Sequence, residues 1–260
     1  MRKFLIMAVA AAVAVAGFSV VATADEGVAG TSWDFELNPS KTGKPAASHS
    51  IGKPAKKGDD GKYIAPKKQI FGFPKGSSVN TKALPRCKLT PSEVGGGEQC
   101  PKKTLLGDGS ANVIVGQSAT NDGTELVAEF EAYNQKNKIL FIFQTCGEKD
   151  GAPTGPGTGE DCQPAGPPNI VVGTWKDYKT FPKLHVPTPQ SLLDIGVIII
   201  RFELFTDKHT KTVKRNGRRV LISYVLTPKK CTRGKWKTFD KANYVDRTKQ
   251  TIKDVTLCKK

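Results

Sequence analysis

Residues 195–227 read IGVIIIRFELFTDKHTKTVKRNGRRVLISYVLT, and this stretch decides the fold class. Val197-Ile198-Ile199-Ile200 is continuously apolar, and its bounds favour a central strand covered on both faces over a helix. Asn216-Gly217 separates two β-compatible arms, and this pair suits a type I′ turn because both residues tolerate positive φ. The stretch predicts a strand followed by a hairpin.

The same texture extends outward. Ser32 to Asn38 alternates Trp33, Phe35 and Leu37 with Asp34, Glu36 and Asn38, the pattern of a half-buried strand. Short segments rich in Val, Ile and aromatics recur at 111–115, 124–133, 139–144, 170–175 and 218–227. The 26 Gly and 17 Pro against 2 Met favour short strands joined by turns over long helices. The chain therefore reads as all-β, an antiparallel β-sandwich (immunoglobulin-like or jelly-roll-like) with one or two short helices and disulfide-closed loops. Thr90-Pro91-Ser92-Glu93 predicts a capped helix start that Gly95-Gly96-Gly97 soon ends. Thr188-Pro189-Gln190-Ser191 predicts a second short helix.

Three segments follow along the chain. Residues 1–24 read as a cleaved export signal: Arg2 and Lys3, an apolar run from Phe4 to Val21, then the small residues Ala22-Thr23-Ala24. Residues 25–68 read as an N-terminal strand and a flexible basic segment. From Pro39 to Lys68, Lys, Gly, Pro, Ser and Asp offer little to bury against the entropy of ordering. Residues 69–260 read as the main β-sandwich domain, which the Ser32–Asn38 strand is expected to join. No second apolar stretch reaches spanning length, so no transmembrane segment is expected after signal removal.

An even count of cysteines in an exported chain argues for disulfides. Six cysteines allow 15 pairings, among which the sequence alone does not choose; spacing favours Cys87 with Cys100, Cys146 with Cys162, and Cys231 with Cys258, each closing a modest loop worth on the order of 3 kcal/mol. A metal site is disfavoured, because no Cys-x-x-Cys occurs and no histidine lies near a cysteine at ligand spacing.

Phe73-Pro74-Lys75-Gly76, Leu84-Pro85-Arg86-Cys87, Cys100-Pro101 and Gly107-Asp108-Gly109-Ser110-Ala111 form a motif series that resembles β-rich secreted proteins of actinobacteria, mostly unassigned in function. Cys231-Thr232-Arg233-Gly234-Lys235-Trp236 is similar to their C-terminal hairpin. The resemblance covers about Ser32 to Cys258 and implies a single exported β-sandwich-like domain. It carries no catalytic residues, and the loop holding Cys146 and Cys162 is extra to it.

Catalytic and metal signatures are sparse. His49, His185 and His209 lie far apart, with no Gly-x-Ser-x-Gly and no His-Glu-x-x-His. Glu129 and Glu131 share one face of a strand, roughly 7 Å apart by strand rise, and paired carboxylates can hydrolyse glycosides. Two glutamates on the outer face of such a strand are more often simply solvated. Asp59-Asp60 and the acids from Asp150 to Asp161 lack the regular spacing of a calcium loop. No catalytic residue, cofactor or metal set is assigned.

Charge supplies the functional hint, since the chain carries a formal +16. Lys208, Lys211, Lys214, Arg215, Arg218 and Arg219 gather around the hairpin tip, with Lys229, Lys230, Arg233, Lys235 and Lys237 beyond. Arg215 is expected to face Arg218, and like charges directly opposite repel. Such a tip suits an anion, although solubility alone also accounts for exposed lysines. Anionic cell-wall polymers or lipid headgroups are the expected partners, and no nucleic acid is expected. The function expected is that of a secreted, non-catalytic extracellular or cell-envelope binding or structural protein. The alternative is a carbohydrate-active enzyme on a β-sandwich.

Overall fold

A computed structural model describes residues 31–118, 120–145 and 167–260. The described residues begin with β1 (Ser32–Asn38), β2 (Ala47–Lys53), β3 (Lys56–Lys57), β4 (Tyr63–Ile64), β5 (Pro66–Gly72) and β6 (Ser78–Val79). After α1 (Pro91–Gly95) and a 3₁₀ turn at Lys102–Thr104 come β7 (Leu105–Val115), β8 (Thr124–Gln135), β9 (Lys138–Thr145), β10 (Asn169–Lys176) and β11 (Lys183–Pro187). Helix α2 (Gln190–Asp194) precedes β12 (Ile198–Thr206), β13 (Thr210–Arg215), β14 (Arg218–Ser223), β15 (Val225–Leu226), β16 (Lys235–Tyr244) and β17 (Lys249–Leu257).

Eleven strands form one sheet in the order β1-β2-β12-β7-β8-β9-β10-β11-β5-β16-β17. Every neighbouring pair is antiparallel. Alternation over an odd number of strands leaves the two edges, β1 and β17, pointing the same way. The sheet can then close only through a parallel seam, and short pieces of one are present. Thr42 N–H donates to Lys259 O at 3.2 Å and Lys259 N–H donates to Ser40 O at 2.8 Å, around a parallel bridge of Lys41 with Lys259. Along β1 itself, Phe35 N–H donates to Asp254 Oδ2 at 3.1 Å, and Thr256 Oγ1 donates to the Phe35 carbonyl. Side chains of β17 thus satisfy backbone groups that an open edge would leave bare. The protein is all-β and antiparallel, and the facing layers of its sandwich are opposite walls of one sheet that is nearly a barrel.

Eleven strands enclose more space than eight, and aromatic side chains occupy it. Trp33 stacks on Phe71 at 5.2 Å between ring centroids, Phe35 meets Phe73 edge-on at 4.8 Å, and Phe73 meets Trp175 at 5.2 Å. Aromatic pairs of this kind contribute about 1 kcal/mol each beyond the area they bury. The buried positions of β1, namely Trp33, Phe35 and Leu37, are those its alternation predicts.

The segment 39–68 corrects the sequence reading. It is not a linker: it carries β2, which sits between β1 and β12, and the domain boundary expected at residue 68 falls inside β5. The inward face of β2 is Ser48, Ser50 and Gly52, so the period-two apolar signal is missing. Small residues are needed there because the Phe202 ring lies over Gly52. After β2 the chain crosses the outside of the sheet, where Ala55, Ala65 and Tyr63 pack on Ile198 and Ile200. Ile199 packs against the inner core, so the apolar run is covered on both faces.

Two expected cystines are present, Cys87–Cys100 and Cys231–Cys258, with Cα separations of 5.4 and 5.8 Å. The first encloses α1, whose capping box is complete: Glu93 N–H donates to Thr90 Oγ1 at 3.3 Å and Thr90 N–H donates to Glu93 Oε2 at 2.6 Å. The Thr90 N–H, and then the Thr90 hydroxyl donating to the same oxygen at 2.8 Å, hold the Glu93 carboxyl below its usual range. Val94 and this cystine pack with Tyr133 and Leu140 in a second cluster. The second cystine closes the β16–β17 hairpin. Residues 1–24, Cys146 and Cys162 lie outside the described residues.

Two glycines of β7 mark the tightest approach of main chains. A Cβ at Gly107 would meet Phe205 O at 1.9 Å, and one at Gly109 would meet Glu203 O at 2.0 Å. Both obstacles are backbone atoms of β12. A Cβ at Gly72 would instead meet the Phe239 ring at 2.0 Å, and that side chain can rotate away. Gly107→Ala is therefore expected to lower the unfolding free energy by about 3 kcal/mol or more, and Gly72→Ala by less. Urea melts of the two variants check this order.

Candidate functional site

Among the described residues, strands β13 and β14 pair only with each other, as a two-stranded arm registered from Thr210 opposite Ser223 to Arg215 opposite Arg218. Asn216 and Gly217 at its tip have φ of 48° and 75°, both positive as a type I′ turn requires. The structure brings the predicted cations together on this arm. Lys214 lies opposite Arg219, Arg215 lies opposite Arg218, and Lys211 lies one register step nearer the base than Thr212. Lys208 stands in the connection that leads into the arm. All six are exposed, and none forms an ion pair among the described residues. Leu221, 58 % exposed, shares the arm with them. The base is fixed by Tyr224 N–H donating to His209 O at 3.0 Å and by His209 Nε2 bonding Leu106 O at 2.8 Å.

The remaining candidates are dispersed. His49 lies on β2, with its ring stacked on Phe205 at 4.1 Å and Nε2 2.8 Å from Glu203 Oε1. His185 lies on β11, where burial and then the charge of Lys68 push its pKa down. With His209 at the foot of the arm, no two histidines share a site. Glu131 is exposed on β8 and accepts a 2.6 Å bond from Tyr133 Oη. Glu129 is its neighbour on the same outer face, opposite Ser110 and Gln144. Asp60 Oδ1 accepts from Lys62 N–H at 3.0 Å in a turn. Among the described residues no three His, Cys, Asp or Glu side chains gather as a metal site, and the acids from Asp150 to Asp161 lie outside them.

The inner face of the sheet also lines a cavity that sequence reasoning missed. It amounts to about 90 Å³, counted as room for the centre of a water molecule. Trp33, Phe71, Phe141, Trp175, Leu184 and Phe202 are among its walls, and among the described residues no charged side chain lines it. Its polar lining is small. Ser48 Oγ and Thr206 Oγ1 bond each other at 2.6 Å. Ser50 and Gln69 are each 6 % exposed and also face it. The only available sequence signal was the small, polar alternation of Ser48, Ser50 and Gly52 within a Lys- and Pro-rich segment.

No protein family, curated protein or solved structure matches this chain.

Behind the cavity wall, Gln69 Nε2 donates to Asp240 Oδ2 at 3.4 Å, while Asp240 Oδ1 has no partner among the described residues. Burial pushes the Asp240 carboxyl up to about 7 from 3.8, and the Gln69 bond only partly offsets this. The folded state then holds a proton that the unfolded chain releases. Its contribution to stability is full below about pH 4 and is lost as the pH rises to about 7. Asp240→Asn removes this dependence. Thermal melts from pH 4 to pH 8 should show the variant gaining on the native protein as the pH rises, whereas a constant difference contradicts the buried carboxyl.

Proposed function

We propose that this is an exported, non-catalytic binding or structural protein of the extracellular space or cell envelope, and that its β13–β14 arm contacts anionic surface polymers. The observation that carries this reading is the arm itself, a separate two-stranded ribbon whose cations lie opposite one another without ion-pair partners among the described residues. A lone hairpin is marginally stable in water, and mutual repulsion weakens it further. A polyanion laid along the arm relieves that repulsion. Near an anionic surface each Lys or Arg contributes about 1 kcal/mol, within a Debye length. Export is supported by the signal pattern of residues 1–24 and by two cystines, which persist in oxidising compartments. Among the described residues no helix is long and apolar enough to cross a membrane. The glycosidase alternative gains no specific observation, since Glu131 is engaged with Tyr133 on an open strand face.

Co-sedimentation with purified cell walls across a salt series tests the proposal. Binding should weaken steadily with salt, and the double variant Arg215→Ser/Arg218→Ser should bind with about 2 kcal/mol less, roughly 30-fold, at low salt. Binding that is absent, indifferent to salt or unchanged in the variant contradicts it. A parallel arm uses vesicles containing an anionic phospholipid. Retention on vesicles but not on walls assigns the arm to headgroups and rejects the polymer.

A further inference from the structure

The cavity inside the sheet is independent of the arm's charge. We infer that it is a binding site for a small neutral molecule with an apolar body and one hydroxyl group. Size, wall chemistry and unfilled hydrogen bonds each narrow the occupant.

A space of about 90 Å³ for water-sized centres accommodates roughly six to nine such groups, the size of a six-carbon chain or a single ring. The walls are aromatic and aliphatic, so the occupant's body is apolar. Among the described residues no charged side chain lines the space, and a charged group brought there without a partner pays a large desolvation cost. That excludes carboxylate and ammonium heads.

The polar groups then say what the head must be. Ser48 and Thr206 satisfy each other. Ser50 does not: the residue is 6 % exposed and faces the cavity, and its hydroxyl has no hydrogen-bond partner among the described residues. Gln69 commits its Nε2 to Asp240, which leaves its Oε1 without a partner among the described residues. Both residues open onto the cavity, and polar groups shielded from bulk water are nearly always bonded, so an occupant that bonds these two is favoured. Ser50 can donate or accept, and Gln69 Oε1 accepts. A ligand hydroxyl, which donates one bond and accepts others, meets either group. The site needs no covalent step and no cofactor.

Trp33 and Trp175 both line the cavity, so indole fluorescence of the full chain reports on occupancy. Three probes are titrated: 1-hexanol, 1-chlorohexane and hexanoate. Saturable binding is expected for 1-hexanol, weaker binding for 1-chlorohexane, and none for hexanoate. Ser50→Ala should weaken 1-hexanol about tenfold and leave 1-chlorohexane within about twofold, a split that mere loosening of the core would not give. Val186→Phe fills the space from one wall and should abolish binding of both. If its near-ultraviolet circular dichroism departs from native, Val171→Phe serves from another strand. Absence of saturable binding by 1-hexanol, hexanoate binding as tightly, equal losses of both neutral probes in Ser50→Ala, or full binding in a folded filled variant overturns the inference. Lack of salt dependence here, against strong salt dependence at the arm, keeps the two proposals separable.

Discussion

Antiparallel alternation over eleven strands forces the first and last to run parallel, so this sheet can close only where β1 meets β17. The closure rests on few contacts, and Phe35 is at their centre. Its N–H is taken by Asp254 and its carbonyl by Thr256, while its ring reaches the core against Phe73. Burial raises the Asp254 carboxyl above its usual range, and the bond from Phe35 N–H works against that rise. One residue therefore joins the seam to the interior. Without it, β1 would be an edge strand with its backbone open to water.

Closure determines what the interior must be. A ring of this size leaves a wide lumen, which backbone alone cannot fill and rings of Trp and Phe largely do. The fit is incomplete along Ser50 and Gln69, and the remaining space is the cavity. The basic arm grows from the same region. Thr206 ends β12 and Tyr224 follows β14, and both line the cavity while flanking the arm. Tyr224 accepts the Trp175 Nε1 proton at 3.1 Å, which ties the base of the arm to the core. Among the described residues the arm's tip has no such tie, and its charged side chains are exposed.

Legibility in the sequence followed the range of the forces involved. The alternation of Trp33, Phe35 and Leu37, the Asn216-Gly217 turn, the Thr90–Glu93 capping box and the two local cystines are short-range signals, and each appears where its pattern places it. Strand β2 was illegible because its inward residues are small and polar, and Gly52 among them answers to the ring of Phe202, 150 positions downstream. The seam was illegible for a related reason: Asp254 and Thr256 look like solvent residues until β1 lies beside them. The arm was readable as a basic hairpin, and its isolation from the main sheet was not. The cavity draws on strands spread along the whole described chain, so no local pattern could mark it.

Hydrogen exchange at the amide of Phe35 tests the closed sheet most directly. This N–H points away from β2 toward Asp254, so only a closed seam protects it. The expected result is exchange as slow as that of central amides in β8, limited by unfolding of the whole sheet. Exchange as fast as in an open edge strand, with central amides still protected, would show that β1 and β17 do not meet.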